Sequence, residues 1–279
     1  MRFLSYISNM TKNLDHLGLR SVADNYDLFF IDLWGVLHNG IKLYDDSTEV
    51  LDNLSKANKS FILLTNAPRP NKNVINFLKK IGLKKYFENV FTSGEAAYKH
   101  LVSELNKQKF FHIGPPRDFD LFKNIEKDNV LNIEDADYLL CTGLFDEHEN
   151  DLNFYKNLLS NHISKKMICT NPDLIVDRGE EREFCAGSVA KVFEELGGKV
   201  DYFGKPYPLV YTQSIEIKNK RVLCIGDNLN TDIRGANLQN FSSLLVLNGV
   251  HRNETNCGID KLFEKYNVTV NYAQSNLKW

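Results

Sequence analysis

Three short apolar runs, far apart in the chain, each stop at a polar residue: Asp27-Leu-Phe-Phe-Ile-Asp32, Ser60-Phe-Ile-Leu-Leu-Thr65 and Arg221-Val-Leu-Cys-Ile-Gly-Asp227. A continuous apolar run without alternation fits a strand buried on both faces, and such strands belong to parallel sheets covered by helices. The segments Ser47–Asn58 and Asn71–Ile81 carry helical spacing, the second through Val74, Ile75, Phe77, Leu78 and Ile81, with Gly82 as terminator. This alternation predicts right-handed strand-helix-strand units in a doubly wound, mainly parallel, Rossmann-like α/β sheet. Ligands bind beyond the carboxyl ends of strands in such sheets, so the three polar residues converge although distant in sequence.

A further strand ends at Phe91-Thr92-Ser93, and Gly94–Leu105 reads as a helix leading the chain outward. The next hundred residues hold their own alternation. Strands are expected at Lys109–Ile113, Tyr138–Thr142 and Lys166–Thr170, and helices near Asp118–Ile125, Asp151–His162 and Ser188–Leu196. Gly114-Pro115-Pro116, Asn171-Pro172-Asp173 and Gly197-Gly198 punctuate them. The pattern predicts an α/β domain over 94–201 inserted into a discontinuous core of 1–93 and 202–279, and 279 residues are enough for both. Residues 1–20 fit either a short leading helix or a loose arm.

Composition narrows the function classes. Lys+Arg 34 against Asp+Glu 36 leaves a net charge of -2, so no global positive field gathers nucleic acid or an anionic membrane. No basic run or recognition-helix pattern points to nucleic acid. The longest apolar runs, 27–36 and 242–250, fall short of the ~20 residues of a membrane-spanning helix. With no apolar signal core near the N-terminus, the chain reads as cytoplasmic. Cys141, Cys169, Cys185, Cys224 and Cys257 are odd in number and dispersed, which favours reduced structural thiols.

Four features carry chemistry. Asp32 leaves a buried strand into the turn Leu33-Trp34-Gly35, where a carboxylate serves as nucleophile, metal ligand or simple turn former. Thr65-Asn66 leaves the next run, with groups suited to phosphate oxygens or to capping the following helix. Gly204-Lys205-Pro206 offers a compact cation, though one loop lysine is ordinarily solvated. In Gly226-Asp227-Asn-Leu-Asn-Thr-Asp232 two carboxylates five apart suit a hard cation such as Mg²⁺, or Asp232 favours a helix start.

The order of these four features resembles the four motifs of the haloacid dehalogenase superfamily, over about Tyr26 to Gly249. The insertion after Ser93, together with Asn171-Pro172-Asp173 and Gly204-Lys205-Pro206, is similar to subclass IIA, and Asp-x-Trp-Gly-Val resembles one subset of it. The resemblance implies that Asp32 attacks phosphorus to form an aspartyl-phosphate. It implies Mg²⁺ held by Asp32, the backbone carbonyl of Trp34 and Asp227, with Asp232 supporting. Thr65, Asn66 and Lys205 would bind phosphate, Lys205 would neutralise the nucleophile, and Gly35 would allow the tight turn. The substrate would be a small phosphorylated metabolite, and cap-mediated homodimers are common among such relatives.

One position departs from the pattern. Superfamily phosphatases generally carry Asp two residues after the nucleophile, where it protonates the leaving oxygen and then activates water. Here Trp34 stands there, and its indole N–H donates a hydrogen bond but shuttles no proton. Two readings follow: a Mg²⁺-dependent phosphomonoester hydrolase, or a catalytically weak phospho-ligand binding or regulatory protein. A dehalogenase, with an aromatic residue at this position, is a distant third because Asp227 is retained. Groups considered for the missing proton are His38, the loop Asp146-Glu147-His148, and Asp173 with Asp177 and Arg178, each also readable as an ordinary loop residue.

Overall fold

The structure is a computed structural model that describes residues 11–178, 181–254 and 258–279. Four strands open the chain: β1 (Lys12–Asn13), β2 (Leu28–Ile31), β3 (Ser60–Thr65) and β4 (Val90–Thr92). Six follow in the middle segment: β5 (Phe110–Ile113), β6 (Tyr138–Cys141), β7 (Lys166–Cys169), β8 (Ile175–Arg178), β9 (Glu181–Phe184) and β10 (Lys199–Tyr202). Three close it: β11 (Val222–Gly226), β12 (Ser242–Val246) and β13 (Tyr272–Gln274).

The first four and last three strands form one sheet in the order β1-β13-β12-β11-β2-β3-β4, parallel throughout. A second parallel sheet runs β10-β7-β6-β5, and β8 pairs with β9 as an antiparallel hairpin. β2 shows why its run is apolar at every position. Phe29 and Ile31 pack on one face with Val50, Leu51 and Leu54 of the helix Asp45–Lys56. Leu28 and Phe30 pack on the other with Ala97 and Leu101 of the helix Ser93–Ser103. Each such fully buried side chain contributes roughly 1.5–3 kcal/mol.

Most expected elements are present with ends shifted by one to three residues, among them helices at Asn71–Lys80, Leu152–Leu159 and Ala186–Glu195. The helix expected at Asp118–Ile125 is absent. Two 3₁₀ segments, Pro116–Leu121 and Lys123–Asp128, replace it, with Ile125 at φ -121° and ψ 18°. The cause is the aromatic cluster beneath. Three-residue spacing aligns Phe119 and Phe122 on one side, where both rings meet His112 at 5.3 and 4.7 Å. At the N-terminus, β1 pairs with β13 rather than forming a helix or an arm, and a single helical turn follows at Arg20–Ala23. Residues 1–10 and Cys257 lie outside the described residues, while the other four cysteines are free and buried.

Candidate active site

The sheet order β11-β2-β3 makes neighbours of the strands that precede Asp227, Asp32 and Asn66, so their polar ends open on one edge. Asp32 follows β2 directly and its backbone N–H still bonds Ile225 O at 2.9 Å, which fixes the start of the turn. Gly35 turns the chain at φ +82°, and a Cβ there would lie 2.1 Å from Asp227 Oδ2. Any other residue would be strained and would displace that carboxylate. Thr65 is buried, and its Oγ1 accepts from Ala67 N at 3.2 Å.

Lys205 is the electrostatic centre. Its Nζ donates to Asp32 Oδ1 at 2.5 Å, Asp232 Oδ1 at 2.7 Å and Leu64 O at 2.9 Å. Burial opposes its charge, but Asp232, Asp32 and Asp173 outweigh burial and hold it protonated, above the usual lysine range. Burial likewise pushes Asp32 up while Lys205 pulls it down and Asp232 raises it again, leaving it at about 7. Burial and the facing Asp32 and Asp232 carry Asp227 well above the carboxylate range, against a 2.8 Å hydrogen bond from Val250 N. Asp232 accepts from Asn228 N at 3.1 Å.

Asp32, Asp227 and Asp232 bring carboxylate oxygens within 4.8 Å of one another, all three side chains buried. All three ionised would outweigh the one ammonium, and that crowding is part of what raises Asp32 and Asp227. Hard oxygen donors in that number and spacing fit a divalent cation.

Asn66 also ties the site together. Its Oδ1 accepts from Lys205 N at 2.7 Å and its Nδ2 donates to Lys205 O at 3.0 Å, so it clamps the backbone that carries the cation. His38 is buried, its Nδ1 accepts from Gly40 N at 3.0 Å, and burial lowers it to about 4, so the ring is neutral. It props the Trp34 ring edge-on at 5.2 Å. Asp146 pairs instead with Arg117 at 2.5 Å, and His148 stacks on Phe154 at 3.6 Å; with Glu147 they stay outside the chamber. Asp177 and Arg178 lie on β8, with side chains outside the described atoms.

These groups line a chamber of about 90 Å³ that also receives Tyr44, Asp173 and Arg252. Outside it a cleft of about 840 Å³ runs between the two sheets' loops, past Arg69, Phe77, Arg117, Asn150 and Phe184. Asp173 comes from the loop after β7, and enclosure by protein raises it to about 6 against the pull of Lys205. The hairpin β8–β9 also closes on the core, Arg182 donating to Val250 O at 3.1 Å. Sequence reasoning missed the hairpin, whose signal was the β-branched pair Ile175-Val176 followed by a glycine at Gly179. It also missed Tyr44 and Arg252.

Known proteins resemble the chain in sequence and in fold. A family model described as haloacid dehalogenase-like hydrolase matches residues 29–126, and a HAD-hydrolase-like model matches 202–263. The chain is similar to 5'-nucleotidase YutF of Bacillus subtilis, 25% identical over 236 residues covering 82% of this chain and 90% of that protein. It is similar to acid sugar phosphatase of Staphylococcus epidermidis, 25% identical over 236 residues, 81% of this chain and 88% of that one. Among solved structures, a haloacid dehalogenase-like hydrolase from Brucella suis superposes with a TM-score of 0.77 at 30% identity, covering 84% of this chain and 93% of that one.

Proposed function

Because the chain belongs to the haloacid dehalogenase-like hydrolases, we propose that it is a Mg²⁺-dependent hydrolase of a small phosphomonoester, working through an aspartyl-phosphate on Asp32. The observation that carries the reading is the ion pair at the converging strand ends, Asp32 to Lys205 at 2.5 Å beside Asp227. The core of 1–93 and 202–279 would do the chemistry, and the insertion 94–201 would act as a cap over the substrate.

Asp32, the backbone carbonyl of Trp34 and Asp227 would hold Mg²⁺, with Asp232 supporting; the chemistry gained is neutralisation of a phosphoryl oxygen and of the crowded carboxylates. Lys205 pulls Asp32 toward its ionised form against burial, and Thr65, Asn66 and Lys205 would bind the phosphoryl oxygens. Asn66 in addition holds the Lys205 backbone. Asp32 attacks phosphorus in line, the ester oxygen departs, and water cleaves the acyl phosphate. Association of two copies through the cap is part of the proposal and is read by light scattering.

Trp34 supports a second reading, a phospho-ligand binding protein of the same architecture with little turnover. Phosphate release from a panel of small phosphomonoesters, with and without Mg²⁺ and with Asp32→Asn as control, decides between them. Metal-dependent release that disappears in Asp32→Asn is the expected result. No release from any ester, with Mg²⁺ and phosphate still binding, would leave the binding protein.

A further inference from the structure

The chamber and the cleft meet at a neck, and among the described residues five side chains line both spaces: Trp34, Thr65, Asn66, Asp173 and Val176. A phosphoester whose phosphate occupies the chamber and whose organic part occupies the cleft must place its bridging oxygen at that neck. The oxygen leaves as an alkoxide unless it receives a proton there.

Four of the five cannot give one. Val176 is apolar, and the indole N–H, the Thr65 hydroxyl and the Asn66 amide are too weakly acidic. His38 lines only the cleft, with Nδ1 already accepting from Gly40 N. Asp173 is held in place. Its backbone N–H bonds Asn171 Oδ1 at 3.0 Å and its carbonyl accepts from Gly187 N at 3.2 Å. A Cβ on Gly187 would lie 2.5 Å from that carbonyl oxygen, so the loop after β7 seats where only glycine lets it. The Asp173 carboxylate accepts from Asn228 Nδ2 at 3.5 Å, a residue not proposed to hold the metal.

We propose that Asp173, delivered by the inserted segment, is the proton donor to the leaving oxygen and the base in the second half-reaction. The inference rests on the phosphatase reading. As Asp32 bonds to phosphorus and the P–O ester bond breaks, the Asp173 carboxyl proton passes to the departing oxygen, giving the free alcohol and the Asp173 carboxylate. Water then attacks phosphorus, its proton passes to Asp173, and phosphate and the Asp32 carboxylate are released.

Leaving-group chemistry tests it. Dinitrophenolate departs without a proton, whereas the alkoxide of glycerol phosphate does not. Asp173→Asn is expected to lower the single-turnover rate of alcohol release from glycerol phosphate by about 10²–10⁴-fold while leaving the rate of the dinitrophenolate burst within about threefold, because hydrolysis of the aspartyl-phosphate follows that release and is common to both esters. Equal losses on both esters, or a loss on neither, would overturn the assignment, because a structural role makes no distinction between leaving groups. The wild type provides a check that depends on no variant: kcat should vary little from aryl to alkyl esters, and a steep decline with leaving-group basicity would also overturn it. Release from neither ester by the wild type would reject the phosphatase reading itself, and this assignment with it.

Discussion

Lys205→Met removes the chamber's ammonium and keeps the length of its stem. In the native chain that ammonium is within hydrogen-bond distance of two buried carboxylates, Asp32 at 2.5 Å and Asp232 at 2.7 Å. Removing one partner of a buried ion pair costs about 3–5 kcal/mol, since the remaining charge has no compensation. At about 2–4 °C per kcal/mol for a chain of this size, the thermal midpoint should fall by roughly 6–20 °C. The loss depends on pH. Without the ammonium the carboxylates hold protons to a higher pH than in the unfolded chain, so the folded state binds more protons and stability falls as pH rises. The assay is the difference in midpoint between wild type and variant, with chelator present, at about pH 5 and about pH 8. A loss at the higher pH under ~2 °C, or a larger loss at the lower pH, would refute the reasoning.

Other outcomes follow from the same structure. Gly35→Ala places a methyl 2.1 Å from Asp227 Oδ2 at a φ of +82°, so divalent-metal affinity measured by calorimetry should drop at least tenfold, and unchanged affinity would remove Asp227 from the metal site. Burial lowers His112 from 6.5 to about 3, so the folded state takes up no proton there while the unfolded chain does. Stability is therefore lost as pH falls below 6.5, by about 1.4 kcal/mol per pH unit for this one proton. Relative to His112→Asn, the wild type should lose ground between about pH 7 and 5, and parallel curves would contradict a neutral His112. Chelation should abolish phosphate release and Mg²⁺ should restore it; full activity in chelator would exclude a metal role for the carboxylate cluster.

Asp32, Thr65 and Asp227 were legible because each terminates an apolar run that could only be a buried strand, and parallel pairing in the order β11-β2-β3 puts such ends together. What each group touches was less legible. Asn66 presents donor and acceptor atoms suited to phosphate, and that it also clamps the backbone of a residue 139 positions later is visible only in the fold. Asp173 and Asp146 each follow a strand of the second sheet and read alike in sequence, and only the folding of that sheet's loops over the first brings Asp173, and not Asp146, to the chamber. The segment 116–128 kept helical composition but yielded to the Phe119 and Phe122 rings packing on His112.

The most direct measurement is an acid-quenched single turnover with a phosphoester labelled in its phosphoryl group, followed by mapping of protein-bound label by mass spectrometry. Label that is labile to hydroxylamine, resides on Asp32 and is missing from Asp32→Asn is the result this account predicts. Turnover with no covalent label, or with label on another residue, would contradict it.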